Sequence, residues 1–338
     1  MFQFVNYLKV LATILITNSH YSNIWPISAM AAGGLLGNVI FFAVSGFCLV
    51  EIKENFFRWY LKRFLRIYPV MAIFTLFTIC LGLYAVKDFY DVIRFFVYPT
   101  NYIFLVWMMI LYAVFYVVAW IAKQREKTWT ITFAIICICW LLVYLFWVDK
   151  TNYGIDNVSS PFIMFLYFLS MLIGATFKRH AERFSKFKWQ NLMLLVASLI
   201  VYFYTKILFD KKILWAWLQI TNQFAILFAL TMIFVVAISL EDTLVKFNTL
   251  WKSFVKFVAS ITLQIYIVQF IVIRKFENLL FPINFLVVTT LIFIFASVVY
   301  ALEYVIRRCI GKGLKGLKSE KEVAVTANEE SGEKNAKS

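Results

Sequence analysis

Lys9 and His20, in the first apolar segment of the sequence, have the spacing of side chains that share one face of a helix. They lie eleven positions apart, which is roughly three turns plus 20° and about 16 Å along the helix axis. Histidine titrates close to neutral pH, so a neutral imidazole at position 20 can act as a general base. The alternatives are an interfacial histidine at the end of the segment, or a passive polar track that both side chains line.

Two arginines form a second candidate group. Arg63 and Arg66 lie three positions apart in the stretch 56–69, where apolar and basic residues alternate, so both guanidinium groups share one helix face. Paired guanidinium groups bind phosphate oxygens in a bidentate manner. We expect this stretch to begin in an inner loop (52–67) as a helix in the interface plane. The alternative role is binding of anionic lipid headgroups.

Four further polar residues lie in apolar segments: Asn18, Ser45, Tyr266 and Gln269. In a membrane such side chains line a substrate path or hydrogen-bond another helix. Ser45 has no general base near it in the sequence, which disfavours a serine nucleophile. The chain has two His and five Cys, with no Cys-x-x-Cys pair, so we expect neither a metal site nor a bound cofactor.

The composition places these residues in a membrane protein. Of the 338 residues, 63% are hydrophobic and 15% are charged, whereas soluble proteins carry roughly 25% charged residues. The net charge of +15 does not call for nucleic acid as a partner, because membrane proteins concentrate Lys and Arg in cytoplasmic loops. The predicted partner is therefore the lipid bilayer, and we expect no nucleic acid.

Ten apolar segments approach the length of about 20 residues that crosses a bilayer. They cover residues 4–23, 35–51, 68–86, 101–122, 128–148, 160–177, 191–209, 213–238, 257–273 and 283–306. If the N-terminus is cytoplasmic, the inner loops carry 21 Lys and Arg and the outer loops carry 7, so the positive-inside rule places both termini in the cytoplasm. We predict an all-α polytopic membrane protein with about ten transmembrane helices. Residues 1–310 form its transmembrane domain, and residues 311–338 form a basic and then disordered cytoplasmic tail.

The order of these groups resembles that in the acyltransferase-3 family of bacterial integral-membrane acyltransferases. The resemblance covers about residues 2–307 and rests on four elements. They are a basic residue and a histidine with ten residues between them (Lys9, His20), an FFxxSGF motif (41–47), an RxxR motif (Arg63, Arg66) followed by Tyr68-Pro69, and a late element from Ser260 to Tyr266. The chain departs from the family at Lys9, where Arg is usual, and at Gln269, where His is frequent.

The resemblance implies an O-acyltransferase of the bacterial cytoplasmic membrane. It implies acetyl-CoA, or another acyl-CoA, as the cytoplasmic co-substrate. It also implies a hydroxyl of a cell-surface or lipid-linked glycan (exopolysaccharide, capsule or O-antigen type) as acceptor. The essential histidine corresponds to His20, acting as a general base or as the carrier of a covalent acyl group. Arg63 and Arg66 would then hold the phosphates of CoA.

A transporter or flippase of lipid-linked glycan is the alternative function. It would use Lys9, His20, Gln264 and Gln269 as a polar path through the membrane. The predicted topology also raises a geometric question for the enzyme, because His20 lies toward the outer end of its span whereas the arginines lie at the inner face.

The topology can be tested with reporter fusions. Because the charge bias places both termini inside and an odd number of spans precedes the loop at 149–159, fusions at residues 155 and 320 are expected to report opposite sides of the membrane. Reports from the same side at both positions would contradict the ten-span arrangement.

Overall fold

A computed structural model describes residues 2–83, 85–97, 103–122, 125–151, 162–211, 213–306 and 308. Within these ranges every regular element is helical, which confirms the all-α class. The α-helices are α1 (Gln3–Ser19), α2 (Gly34–Leu49), α3 (Phe56–Cys80), α4 (Phe89–Val92), α5 (Ile103–Ala122), α6 (Glu126–Trp147), α7 (Phe162–His180), α8 (Trp189–Lys211), α9 (Ile220–Ser239), α10 (Glu241–Val245), α11 (Thr249–Ser260), α12 (Thr262–Phe276) and α13 (Ile283–Ile306). The 3-10 segments are Ser28–Met30, Ala181–Phe184 and Ile213–Leu218, and Ile93–Val97 is π-helical.

Eight helices in the described ranges are long and apolar enough to cross a membrane, and the bent pair α11–α12 makes a ninth. These nine correspond to nine of the ten predicted spans. The remaining one, α1, has 17 residues, about 26 Å at 1.5 Å per residue, which is slightly less than the bilayer core of about 30 Å. The polytopic architecture is thus confirmed. The predicted tail at 311–338 lies outside the described residues.

The third span begins earlier than the sequence pattern suggested. Instead of an interfacial helix in a loop followed by a separate span, α3 runs unbroken through Pro69. Its first turn is capped by Asn55, whose side chain accepts a hydrogen bond from the Arg58 backbone N–H at 3.0 Å, so the helix starts before the basic cluster. Proline is tolerated inside membrane helices because neighbouring helices, side chains and small backbone adjustments satisfy the groups that it leaves unpaired. Arg63 and Arg66 therefore lie on the spanning helix itself.

The ninth predicted span is divided. α11 and α12 meet at an angle of 64°, with Ile261 between them. α11 has basic residues, Lys252 and Lys256, on an otherwise apolar helix, which is the composition of an element at the interface. The predicted span at 257–273 is therefore interrupted at Ile261, and α12 packs beside α1.

The backbones of α2 and α7 come into direct contact at two glycines, Gly46 and Gly174. A Cβ added at Gly46 would lie 1.9 Å from the Met171 carbonyl oxygen, and one at Gly174 would lie 1.8 Å from the carbonyl oxygen of Ala43. Small residues permit this close approach in a membrane, where packing rather than exclusion of water drives helix association. One face of α2 is thereby fixed against α7, and the face that carries Ser45 is left to line a cavity.

α1 is held at its start and along its length. The Glu241 carboxylate accepts hydrogen bonds from the backbone N–H groups of Gln3 at 2.7 Å and Phe4 at 2.8 Å. These bonds satisfy donors that a helix N-terminus leaves unpaired, and the negative charge suits the helix dipole. Farther along, a Cβ at Gly37 of α2 would meet the Ala12 carbonyl oxygen at 2.8 Å. The register of α1 against α2 is thus set by backbone contact.

The α2–α7 contact predicts a large loss of stability for Gly174→Ala. The added methyl group meets backbone that cannot rotate away, so overpacking is expected to cost about 3 kcal/mol or more. Gly82→Ala is the comparison, since a Cβ there meets nothing within 4 Å and only its positive φ of 69° is penalised, at about 1–2 kcal/mol. Thermal unfolding in detergent measures both, and equal melting temperatures would contradict the close packing.

Candidate active site

Two cavities flank α1 and meet at a narrow chamber. The first, called here the basic cavity, is lined by Lys9, Arg63 and Arg66 and has a volume of about 450 Å³. The second, called the histidine cavity, is lined by His20 and has a volume of about 620 Å³. The narrow chamber, of about 20 Å³, shares Phe41, Met108, Thr262 and Leu263 with the basic cavity. It shares Ile16, Phe104 and Tyr266 with the histidine cavity, so it lies between them.

The basic cavity gathers positive charge from two helices. Lys9 comes from α1, and Lys62, Arg63 and Arg66 come from α3, with Glu303 as the acidic residue in the lining. The predicted arginine pair does share a face, and the fold adds the two lysines to it. Four cations on one cavity wall create a positive potential that attracts phosphate groups.

Arg63 is held in place by Trp59, one helical turn before it. Its Nη1 donates a hydrogen bond to the Trp59 carbonyl oxygen at 2.7 Å, and its guanidinium lies 4.1 Å from the centroid of the indole ring. Trp59 is itself buried, 2% exposed. A guanidinium stacked on a fixed ring loses little conformational freedom when it binds a ligand. The position of Arg63 is thus set before any ligand arrives.

An ion pair lies at the edge of the basic cavity. Lys62 pairs with Glu54 in the loop that precedes α3. The hydrogen bond from Lys62 lowers the pKa of the Glu54 carboxyl from its ordinary value. The carboxylate is therefore ionised at neutral pH, and it offsets the charge of Lys62 more than that of the arginines.

Two polar contacts on the cavity wall were not predicted from the sequence. Gln264 donates a hydrogen bond to the carboxylate of Glu303, which is 6% exposed, and the Tyr112 hydroxyl donates to the Ser45 hydroxyl at 3.4 Å. The i, i+4 spacing in the sequence also predicts a pair between Glu303 and Arg307, and Arg307 lies outside the described residues. The sequence contains one weak indication that Tyr112 lines this cavity. Tyr112 follows Met108 by one helical turn, so the two side chains lie on the same face of α5.

His20 follows directly after α1 and lies half-buried in the histidine cavity. Its ring meets the Phe270 ring edge to face at 4.6 Å between centroids. No described side chain hydrogen-bonds the imidazole, so both nitrogens remain available to a ligand. Lys9 lines the basic cavity and His20 lines the histidine cavity, so the two side chains do not share one cavity.

The histidine cavity has aromatic and polar walls and one wall made of small residues. Aromatic rings come from Trp107, Tyr167 and Phe270, and Lys206 adds a cation. The small wall is formed by residues 31–34, which end in two glycines. Gly33 has φ of +99°, a conformation that favours glycine. A Cβ at Gly33 would meet Leu15 at 2.9 Å and one at Gly34 would meet Ser19 at 2.5 Å, so the glycines let this wall pack closely against α1.

The narrow chamber holds neutral polar groups in an apolar surrounding. Gln269 is 0% exposed, and neither its Nε2 nor its Oε1 has a hydrogen-bond partner among the described residues. The Thr17 hydroxyl lacks a partner in the same sense, whereas Thr13 donates to the Lys9 carbonyl oxygen. Tyr266 lines both this chamber and the histidine cavity.

Asn18 has a structural place. Its amide donates to the carbonyl oxygens of Met30 at 2.8 Å and Ala32 at 3.0 Å, and its Oδ1 accepts from the Trp25 indole at 2.9 Å. These bonds hold the loop after α1 against the helix end. Asn18 lines neither cavity, so of the two roles left open for it, the structural one fits.

The fold brings seven of the eight candidate residues to the two cavities and the chamber between them, with Asn18 as the exception. A family model described as an acyltransferase domain, of the acyltransferase-3 family, matches residues 2–304. The chain therefore belongs to this family and is a multi-pass membrane acyltransferase. No curated protein and no solved structure matches the chain. Among the described residues, no group of three or more His, Cys, Asp and Glu could hold a metal ion.

Proposed function

We propose that this membrane acyltransferase transfers an acyl group, acetyl in the first instance, from cytoplasmic acyl-CoA to a hydroxyl of a cell-surface or lipid-linked glycan. The observation that carries the proposal is the pair of cavities that meet at the narrow chamber. One has the charge of a phosphate-binding site, and the other presents a histidine. The same arrangement fits the separation of His20 from the arginines that the sequence predicts, because donor and acceptor can approach from opposite ends of α1.

The basic cavity suits the acyl donor. CoA carries three phosphate groups at one end and a thin pantetheine arm that ends in the thioester. Arg63 and Arg66 would bind phosphate oxygens bidentately, and Lys9 and Lys62 would add charge. The arm would then extend toward the narrow chamber, which admits a group the size of an acetyl carbonyl but not a sugar.

The histidine cavity suits a glycan acceptor. Sugar rings present C–H faces that pack on aromatic rings, here those of Trp107, Tyr167 and Phe270, and hydroxyls that need polar partners. The cavity is larger than the basic one, as a sugar with its attached chain requires. With an acceptor bound, the imidazole of His20 would accept a hydrogen bond from the hydroxyl to be acylated.

The proposed reaction has two steps, addition of the hydroxyl to the thioester and loss of the thiolate. The acceptor hydroxyl oxygen attacks the thioester carbonyl carbon while His20 takes the hydroxyl proton, and the C=O electron pair moves onto oxygen. The resulting alkoxide re-forms the carbonyl and the C–S bond breaks. The leaving thiolate takes the proton from the imidazolium, which leaves an ester, free CoA and neutral His20.

Two alternatives make different predictions. An acyl-histidine intermediate would give ping-pong kinetics and an acylated protein in the absence of acceptor. A transporter of lipid-linked glycan would need a path wider than a chamber of about 20 Å³, and it would not change the acyl content of the glycan. Comparing the O-acyl content of surface glycan with and without this protein separates enzyme from transporter.

The arginine pair is expected to govern donor binding. Arg63→Ala with Arg66→Ala should raise the KM for acyl-CoA, because each charge-assisted phosphate contact contributes about 1.5–3 kcal/mol. Lys at both positions should restore it only in part, since the fork geometry is lost. Arg58→Ala, on the same helix but outside the cavity lining, is the matched control. Unchanged donor affinity in the folded double variant would favour the lipid-binding role.

His20 is expected to be essential for transfer and not for folding. His20→Ala and His20→Gln should both lose about 10²–10⁴-fold in acylation while acyl-CoA binding persists, because neither side chain takes a proton at neutral pH. His180→Gln is the control, since His180 lies 3.5 Å from Glu126 and outside the lining of both cavities. Near-normal acylation by His20→Gln would refute the catalytic role.

A further inference from the structure

The narrow chamber contains an unexplained polar feature. The whole side-chain amide of Gln269 is buried and unpartnered within the described part of the chain, and so is the hydroxyl of Thr17. Both groups line the chamber. A buried polar group without a partner costs about 1–3 kcal/mol, so such groups are rare in folded proteins unless a ligand or water completes them.

The position of these two groups relative to His20 is specific. Thr17 precedes His20 by three residues, so both side chains lie on one face of the α1 end, about one turn apart. Gln269 precedes Phe270, whose ring contacts the imidazole. The end of α1 thus contributes the Thr17 hydroxyl to the chamber and the His20 ring to the contact beside it. α12 contributes the Gln269 amide to the chamber and the Phe270 ring to the same contact.

The chamber is also where the reacting carbonyl would lie. It shares lining residues with the cavity suited to the donor and with the cavity that holds His20. None of the described residues that line it is charged. Neutral donors act strongly on a developing negative charge in such a surrounding, because the local dielectric is low and the donors need no reorientation during the reaction.

We propose that Gln269 and Thr17 are catalytic residues that hydrogen-bond the carbonyl oxygen of the acyl thioester. The Gln269 Nε2–H and the Thr17 Oγ1–H donate to this oxygen and stabilise it as the attacking hydroxyl turns it into an alkoxide. This role rests on the proposed function. It distinguishes Gln269 from Gln264 on the same helix, whose amide already donates to Glu303.

The experiment compares steady-state kinetics of purified full-length variants with acetyl-CoA and a glycan acceptor. Gln269→Leu keeps most of the volume and removes the donor, so kcat is expected to fall about 10²–10³-fold with little change in the KM for acetyl-CoA. Gln269→His keeps an N–H donor and should retain activity within about tenfold of the wild type. Thr17→Val should lower kcat in the same way, and Thr17→Ser should not.

Gln223→Leu is the matched control. Gln223, on α9, is also 0% exposed with both amide atoms unpartnered in the described residues, but it lines neither the chamber nor the two cavities. If burial of an amide alone mattered, both substitutions would act alike. We expect kcat of Gln223→Leu to stay within about twofold of the wild type.

The outcomes separate this inference from the proposed function. Wild-type protein that neither binds nor consumes acyl-CoA refutes the proposed function itself. Wild-type acylation together with an unchanged kcat for Gln269→Leu overturns the role of Gln269, and so does a raised KM with unchanged kcat, since that change reports ground-state binding. If Gln269→Leu fails to fold, the Thr17→Val and Thr17→Ser pair decides, and equal kcat values for these two overturn the proposal.

Discussion

The backbone contact between α2 and α7 is the interaction on which the rest of the structure depends. Gly46 and Gly174 let these helices approach until added methyl groups would overlap carbonyl oxygens of the other helix. In a membrane, helices gain little from excluding water, so dense packing of small residues must hold them together. With one face of α2 fixed in this way, Gly37 sets the position of α1, and the face carrying Ser45 is free to line a cavity.

This core separates a positively charged cavity from a chamber that is lined by neutral residues. Cations such as Arg63 suit phosphate groups, but they are costly in the middle of a bilayer. The fold keeps Arg63 and Arg66 at the basic cavity, whose Lys9 is about 16 Å along the axis of α1 from His20 at helical rise. Between them lies a chamber lined by neutral residues, Gln269 among them. Charge is thus present where it binds and absent where the acyl carbonyl would react.

The residues around the cavities differ in how firmly their side chains are held. α1 is fixed at its start by Glu241 and at its end by Asn18, which ties the following loop to the helix. Arg63 is stacked and hydrogen-bonded before any ligand binds. His20, by contrast, meets one ring and no hydrogen-bonding side chain among the described residues. The imidazole nitrogens of His20 are therefore open to a hydrogen bond from a ligand in the histidine cavity.

The sequence alone determined the features that depend on local periodicity: the helical class, the apolar spans, and the shared face of Arg63 and Arg66. It also identified most of the candidate residues, because a polar side chain in an apolar segment is costly and therefore conspicuous. It could not determine where α3 begins or where α12 breaks away from α11, since capping and bends are decided by a few contacts. Nor could it show that Lys9 joins the arginines, or that Asn18 holds a loop while Gln269 lines the chamber. Those roles depend on which helices lie side by side. That arrangement is set by contacts such as Gly46 against α7, between residues more than a hundred positions apart, which no local pattern encodes.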